Sequence, residues 1–243
     1  MRLYGLIGFP LHHSFSQKYF TEKFEKEGRK ECVYELFPIP SITELPQLVR
    51  DHPDLEGLNV TRPHKKTVMA YLDGKVLPGN LQVCNCIRIS GRKLFGYNTD
   101  VIGFEKSLQP VLRSHHKKAL VLGQGGAAEA VLFVLNKLGI EISVVSRFIH
   151  GAARYTYSEL DEKKIRENTL IINTTPLGTF PDTETFPVIP YEFISSEHLC
   201  YDLVYNPSLT VFLHKAELQG ARIKNGEEML IIQAEESWKI WNA

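Results

Sequence analysis

Four cysteines in 243 residues, Cys32, Cys84, Cys86 and Cys200, are too few and too unevenly spaced for a disulfide framework. They sit in strand-like runs and read as reduced core thiols, and Cys84-Asn85-Cys86 lacks zinc-site spacing. Charge of one sign is also missing, since 28 Lys and Arg balance 28 Asp and Glu, and clusters such as Lys65-Lys66 and Lys117-Lys118 are too short to count as patches. Nucleic acid and acidic membrane surfaces are therefore not expected partners. No apolar run approaches the roughly 20 residues of a membrane-spanning helix. The chain opens Met1-Arg2-Leu3-Tyr4-Gly5 and enters a strand without the apolar core of a signal peptide, so a cytoplasmic protein is expected.

What the chain does have is alternation. Strand-like and amphipathic helical runs succeed one another throughout, the pattern of an α/β protein with largely parallel sheets. Periodicity predicts strands over 3–7, 32–37 and 57–60, and helices over 17–26 with Ser16 as cap, 43–49 and 64–71. A β-hairpin over 85–89 and 93–97 makes this half mixed rather than purely parallel. A helix from Thr99 follows, with Val101, Phe104, Leu108 and Leu112 at helical spacing. The second half reads as strands over 119–122, 142–145, 169–173 and 199–204 with an exposed helix near 158–166, and a last helix after Gly226 carries Leu230, Ala234, Trp238 and Trp241 on one stripe. The expected domains are residues 1–100, 101–225 and a closing helix over 226–243.

Between the strand at 119–122 and the helix after it stands Gly123-Gln124-Gly125-Gly126-Ala127-Ala128. Read as G-x-G-x-x-A, it offers Gly123 for a tight turn, Gly125 for close approach of backbone to a pyrophosphate, and small Ala128 for close helix packing. Phosphates would sit on N–H groups at the helix N-terminus. A plain strand-turn-helix corner also favours glycine, and at this point that reading stays open. The next strand ends at Ser146-Arg147, roughly 20 residues past the first glycine, where an NAD site usually carries an acid. None stands there. A hydroxyl followed by a planar guanidinium suits a 2′-phosphate, which makes NADP the expected cofactor, although Arg147 alone reads equally as a solvated loop charge.

A nicotinamide in the second half asks the first half for substrate and a proton-transfer group. Lys65 and Asp100 are the candidates, each just past a strand end, where burial and a neighbouring carboxylate can tune a lysine. Ordinary surface and capping residues have the same appearance. Ser14 and Ser16 precede a helix and could receive a carboxylate, with Ser16 as a simple cap the alternative. His12 and His13 are adjacent, point apart and have no third ligand at useful spacing, so no metal is expected. Gln233 on the last helix is either a ligand contact or a helix surface residue.

These segments form an ordered set: Gly8-x-Pro10 with Ser14-x-Ser16, Asn59-Val60-Thr61-x-Pro63-x-Lys65, Asn85, Asn98-Thr99-Asp100, Gly123-x-Gly125-Gly126-Ala127, Ser146-Arg147, Asn173-Thr174-Thr175-Pro176-Leu177-Gly178, Tyr201-Asp202-Leu203-Val204-Tyr205-Asn206-Pro207 and Gly226-x-x-Met229-Leu230-x-x-Gln233-Ala234. Together they resemble the shikimate dehydrogenase family. The resemblance implies an N-terminal mixed α/β substrate domain, a Rossmann-like NADP-binding domain, and a C-terminal helix returning to the first domain so that substrate lies in a cleft facing the nicotinamide.

The resemblance also implies roles. Ser14 and Ser16 would hold the substrate carboxylate, and Asn59, Thr61, Asn85, Asp100 and Gln233 would read ring hydroxyls. Lys65 would supply the proton as hydride reaches the carbonyl carbon, with Asp100 positioning lysine and substrate. Tyr205 would line the cleft. Gly123, Gln124, Gly125, Gly126, Ala127, Ser146, Arg147 and Thr174 would bind cofactor, with Leu203 and Gly226 near the nicotinamide. Two departures stand out. Gln17-Lys18-Tyr19-Phe20 replaces the family's Pro and His-Asn pair, and Ser146-Arg147-Phe148-Ile149 lacks the second basic residue usual after the cofactor strand, leaving Arg154 as the candidate substitute. The expected activity is NADP-dependent reduction of 3-dehydroshikimate to shikimate, in aromatic amino-acid biosynthesis, by a monomer or homodimer. A quinate/shikimate dehydrogenase with relaxed cofactor choice, and a non-catalytic ligand sensor on the same fold, are the alternatives.

Overall fold

Leu3 and Ile7 join one apolar cluster while Tyr4 and Leu6 join another, so strand β1 (Arg2–Gly8) lies in a sheet buried on both faces. The computed structural model describes residues 1–11 and 14–243, which places the His12-His13 pair outside the described residues. Two compact units emerge: Met1–Thr99 with Gln233–Ala243, and Asp100–Ile232.

In the first unit β1 is followed by α1 (Phe15–Lys26), β2 (Cys32–Pro38), α2 (Leu45–Asp51), β3 (Leu55–Val60), α3 (His64–Thr67), β4 (Gly74–Val76), β5 (Cys86–Ser90) and β6 (Lys93–Tyr97). The sheet order is β2-β1-β3-β5-β6-β4. Strands β1, β2 and β3 run parallel, and β5 is antiparallel to both β3 and β6. The order therefore combines parallel crossovers with one hairpin, as the periodicity implies.

The second unit holds most of α4 (Thr99–Leu108), then β7 (Lys118–Leu122), α5 (Gly126–Lys137), β8 (Glu141–Ser146), β9 (Ala153–Thr156), α6 (Glu162–Glu167), β10 (Leu170–Asn173), β11 (Leu199–Asp202), α7 (Val211–Leu218), β12 (Arg222–Lys224) and the start of α8 (Glu227–Trp241). Its six strands are all parallel in the order β12-β11-β10-β7-β8-β9. Leu120, Val121, Leu122, Leu170, Ile171 and Ile172 are wholly buried, as central parallel strands covered on both faces must be. The chain leaves β7 toward β8 and β9 and then returns to β10 on the other side. That reversal opens a crevice beyond the C-terminal ends of β7 and β10, where doubly wound sheets bind nucleotides.

Several local expectations are corrected. Ser14 rather than Ser16 caps α1, because Ser14 is extended (φ −110°, ψ 118°) and its Oγ accepts from the Gln17 N–H at 3.4 Å. Ser16 lies inside the helix and is buried. The expected helix over 64–71 is one α-helical turn continued by a 3-10 turn over Val68–Tyr71. The helix near 158–166 starts later, because the Asp161 carboxylate accepts from Lys164 N–H at 2.8 Å and caps α6. Strands β4, β9 and β12 and helix α7 carry no periodic signal strong enough to be expected. The second crossing between units lies between Ile232 and Gln233, inside the continuous helix α8, rather than at its start.

The tryptophan stripe of α8 finds its partners in the first unit. Trp241 stacks on Tyr4 with ring centroids 5.0 Å apart and donates from Nε1 to the Ile87 carbonyl at 3.0 Å. Its indole occupies the space over Gly57, where a Cβ would come within 2.4 Å of the ring. Trp238 meets Tyr4 and Phe24 edge-on or tilted, and Glu235 accepts from the Tyr19 hydroxyl and the Lys23 ammonium of α1. We expect Trp241→Ala to destabilise the protein by about 3–5 kcal/mol in urea denaturation, the usual loss for a buried aromatic. A loss below about 1 kcal/mol would show that the seam does not hold α8 in place.

Candidate functional site

Polar side chains that a core ordinarily excludes meet at one end of the first sheet. Asn59 near the end of β3, Asn85 just before β5, Thr99 at the start of α4, and Gln233 and Ser237 one turn apart on α8 are all buried. An unpaired buried amide costs about 2–7 kcal/mol, so such a cluster survives only if its donors find acceptors. Asn85 donates from Nδ2 to Thr99 Oγ1 at 3.0 Å and to Gln233 Oε1 at 3.5 Å, while its Oδ1 accepts from the Thr99 N–H at 2.7 Å. Asn59 Nδ2 donates to Ser237 Oγ at 3.0 Å, and Ser237 Oγ lies 3.2 Å from Thr99 Oγ1. Among the described residues, no buried side-chain nitrogen or oxygen lacks a partner.

Tyr34 extends the cluster toward α1. Its hydroxyl donates to Asn59 Oδ1 at 2.8 Å and receives a hydrogen bond from Ser16, so one phenol links two of the expected substrate residues. Burial drives the Tyr34 pKa well above that of a free tyrosine, with the Ser16 bond opposing the shift, which keeps the phenol a donor. Thr61 follows β3, its N–H bound to the Ile7 carbonyl at 2.9 Å; a Cβ at Gly8 would strike its methyl at 2.4 Å, so glycine lets the threonine approach. Lys65 is half-buried in α3, with its carbonyl accepting from Cys84 N–H at 2.9 Å. Asp100 is buried in the first turn of α4. Ser14 Oγ accepts from the Gln17 N–H as the cap of α1, a bond that does not use the hydroxyl's own proton.

In the second unit the glycine loop opens α5. Gly123 has φ +102°, and a Cβ there would lie 2.9 Å from both Thr174 Oγ1 and Thr175 Cγ2. Gly125 is the N-cap with no side-chain cap bond, and a Cβ on it would meet nothing within 4 Å. The first-turn N–H groups of α5, from Gly126 and Ala127, have no intrahelical acceptor. This cradle fits a pyrophosphate. Thr174 donates from Oγ1 to the Leu122 carbonyl at 2.7 Å, tying the turn after β10 to the end of β7. Gln124 Nε2 donates to Ser146 Oγ at 3.1 Å, and Arg147 beyond it is exposed. Leu203 and Gly226 are brought together closely: a Cβ on Gly226 would lie 2.1 Å from the Leu203 carbonyl oxygen. Tyr205 is half-buried in the loop after β11.

Comparison with known proteins gives the family. A family model described as the shikimate dehydrogenase substrate binding domain matches residues 6–87. A shikimate dehydrogenase (NADP(+)) of Methanococcus maripaludis is 36% identical over 99% of this chain and 91% of its own. The chain belongs to the shikimate dehydrogenase family. Among solved structures, the Thermus thermophilus shikimate 5-dehydrogenase in complex with NADP(H) and shikimate is 30% identical, with a TM-score of 0.85 over 99% of this chain and 93% of that one. The Listeria monocytogenes shikimate 5-dehydrogenase in complex with shikimate and NAD is 27% identical, with a TM-score of 0.84 over 100% and 92% of the two chains.

Sequence reading alone misses several members of these clusters. Tyr34 looks like one alternating core residue of β2, and Ser237 like a small residue on the stripe of α8. The signal for Ser237 is its place one turn after Gln233 on the buried face, between Ala234 and Trp241. Arg154, weighed as a substitute cation, is corrected: its Nη1 lies 3.7 Å from Glu141 at the start of β8, away from the nucleotide end of the sheet.

Asp202 is the other addition. Its Oδ1 accepts from Asn173 Nδ2 at 2.9 Å and Val204 N–H at 3.0 Å, and its Oδ2 from Thr210 Oγ1 at 2.7 Å. Asn173 Oδ1 in turn accepts from Thr175 Oγ1 at 2.6 Å, so one carboxylate organises the turns after β10 and β11. Burial pushes the Asp202 pKa up to about 6, against the pull of those three donors. A carboxyl whose folded pKa exceeds its unfolded value stabilises the fold when protonated, and that contribution is lost as pH rises from about 4 to 6. We expect wild-type stability, measured against Asp202→Asn by urea denaturation, to fall on the order of 2–3 kcal/mol across that window. Parallel pH curves for the two proteins would refute the assignment.

Proposed function

We propose that this protein is an NADP-dependent shikimate dehydrogenase, reducing 3-dehydroshikimate to shikimate and running in reverse when shikimate is supplied. The observation that carries this reading is the 36% identity to a shikimate dehydrogenase (NADP(+)) across 99% of the chain. The glycine cradle at Gly123 and Gly125 and the buried hydroxyl-and-amide cluster around Asn85 support it chemically. No helix among the described residues is long and apolar enough to cross a membrane. The proposal extends to a cytoplasmic protein acting as a monomer or homodimer on a small-molecule substrate.

NADPH, when bound, supplies the hydride that adds to the substrate carbonyl carbon. Gly125, Gly126 and Ala127 hold its pyrophosphate through backbone N–H groups, Gly123 and Thr174 shape the turn against it, and Ser146 and Arg147 receive the adenosine ribose and its 2′-phosphate. Leu203 and Gly226 would lie near the nicotinamide. Ser14, Ser16 and Thr61 take the substrate carboxylate and nearby hydroxyl. Asn59, Asn85, Gln233 and Tyr205 orient the ring, their amides fixed in advance by Tyr34, Thr99 and Ser237. Negative charge grows on the carbonyl oxygen as the carbon gains the hydride, and Lys65 stabilises that charge and gives its Nζ proton to the oxygen. Asp100 positions the lysine and aligns the substrate hydroxyl. In the oxidative direction Lys65 takes the proton back.

Initial rates of cofactor reduction with shikimate or quinate, each with NADP+ or NAD+, test the reading. Turnover confined to shikimate with NADP+ is expected. Comparable rates with quinate or NAD+ would move the protein to a relaxed-specificity dehydrogenase, and no turnover despite ligand binding to a sensor. Lys65→Ala is expected to lower kcat by orders of magnitude with little change in KM, because a proton donor acts mainly in the transition state. An unchanged kcat would remove Lys65 from that role.

A further inference from the structure

The second basic residue that usually follows the cofactor strand in this family is missing after Ser146-Arg147, and Arg154 is committed elsewhere. Its guanidinium lies near Glu141 and 5.4 Å above the Tyr155 ring. The turn that follows Arg147 brings a different side chain back to the nucleotide end of β8. His150 Nδ1 lies 3.1 Å from the Phe148 carbonyl, and Gln124 Nε2 lies along the ring edge, 2.8 Å from His150 Nε2 and 3.2 Å from Nδ1. That pattern fits the tautomer with its proton on Nδ1, donating to the carbonyl while Nε2 accepts from the amide. The same Gln124 nitrogen donates to Ser146 Oγ at 3.1 Å. Gly151, at φ +56°, folds the turn tightly over this amide: a Cβ on it would lie 2.9 Å from Gln124 Oε1.

One carboxamide from the glycine loop thus ties the end of β8 to an imidazole in the next turn. In a doubly wound nucleotide domain, the residue at the end of the second strand meets the adenosine ribose, with 2′-phosphate recognition beside it. His150 is therefore one carboxamide away from the group that separates NADP from NAD. We propose that His150 is a second specificity-determining residue of this chain, reading the 2′-phosphate together with Arg147. A phosphate placed beside an imidazole favours the doubly protonated ring and converts Nε2 from acceptor to charged donor. A bare 2′-hydroxyl makes no such demand and is served by Ser146 and Gln124. The inference rests on NADP being the cofactor.

Isothermal titration of the full chain with NADP+, NAD+, 2′,5′-ADP and 5′-ADP separates the possibilities without measuring turnover. We expect His150→Ala to weaken NADP+ and 2′,5′-ADP about five- to tenfold, as for loss of one hydrogen bond from an exposed side chain, and to leave NAD+ and 5′-ADP within about twofold. Arg147→Ala should show the same selectivity with a larger loss. His150→Gln, which keeps a neutral hydrogen-bonding partner for Gln124, should lose phosphate selectivity as the alanine variant does. Equal weakening of all four ligands by His150→Ala, or wild-type affinities in His150→Gln, would assign the ring to propping the loop and overturn the proposal. Unchanged NADP+ affinity in His150→Ala would overturn it while leaving the cofactor reading intact. A wild-type protein that binds 5′-ADP but neither NADP+ nor 2′,5′-ADP would overturn both.

Discussion

Polar side chains buried at the end of the first sheet are the constraint on which the rest of the structure depends. Asn59 and Asn85 sit where desolvation is severe, and their donors find acceptors largely because α8 presents Gln233 and Ser237 to them. Those two residues are presented only if α8 lies flat on the sheet. Trp238 and Trp241 hold it there, and the indole of Trp241 in turn needs a glycine at position 57. Apolar packing at one end of the helix thereby sets the geometry of hydrogen bonds two turns away. A loss in the seam is expected to appear as misplaced amides as well as lost stability.

The second unit meets its constraint differently. Its cradle uses backbone N–H groups, which every residue except proline carries, so the chemistry is selected by the absence of side chains at Gly123 and Gly125 rather than by their presence. Backbone recognition of a pyrophosphate says nothing about which nucleotide is bound. On the proposed reading, discrimination falls to the side chains at the end of β8. Behind the cradle, Asp202 and Asn173 hold the adjoining turns through a buried carboxylate, whose desolvation offsets part of the stabilisation its hydrogen bonds provide. The arrangement exchanges stability near neutral pH for fixed turns at the strand ends.

Much of this was legible from local pattern. Alternation of strand and helix, the hairpin at 85–97 and the glycine loop are all encoded within a few residues of themselves, so periodicity and turn chemistry expose them. Edge strands of three or four residues, β4, β9 and β12, are too short to show a period. The choice between Ser14 and Ser16 as cap depends on the backbone angles of Ser14, and two serines before one helix look alike in sequence. Thr99 and Ser237 are 138 residues apart, and nothing local marks them as neighbours. The apolar stripe of α8 was readable, but the aromatic surface that receives it was not, because Tyr4, Phe20, Phe24 and Tyr34 are gathered from three elements.

Position along the chain also misleads about position on the sheet. Arg154 follows Arg147 closely in sequence and looks like the natural second cation. The parallel pairing of β9 with β8 carries it back along the sheet, with Ala153 beside Val144 and Tyr155 beside Val145, so that its charge reaches Glu141 at the far end of the strand. Earlier, in the turn between β8 and β9, His150 is held beside the glycine loop by its contact with Gln124. A side chain in that turn, held by a bond to the glycine loop, is better placed to meet the ribose than a stronger cation that has entered the next strand. On the proposed reading, strand pairing matters more than formal charge in deciding which residue can reach the phosphate.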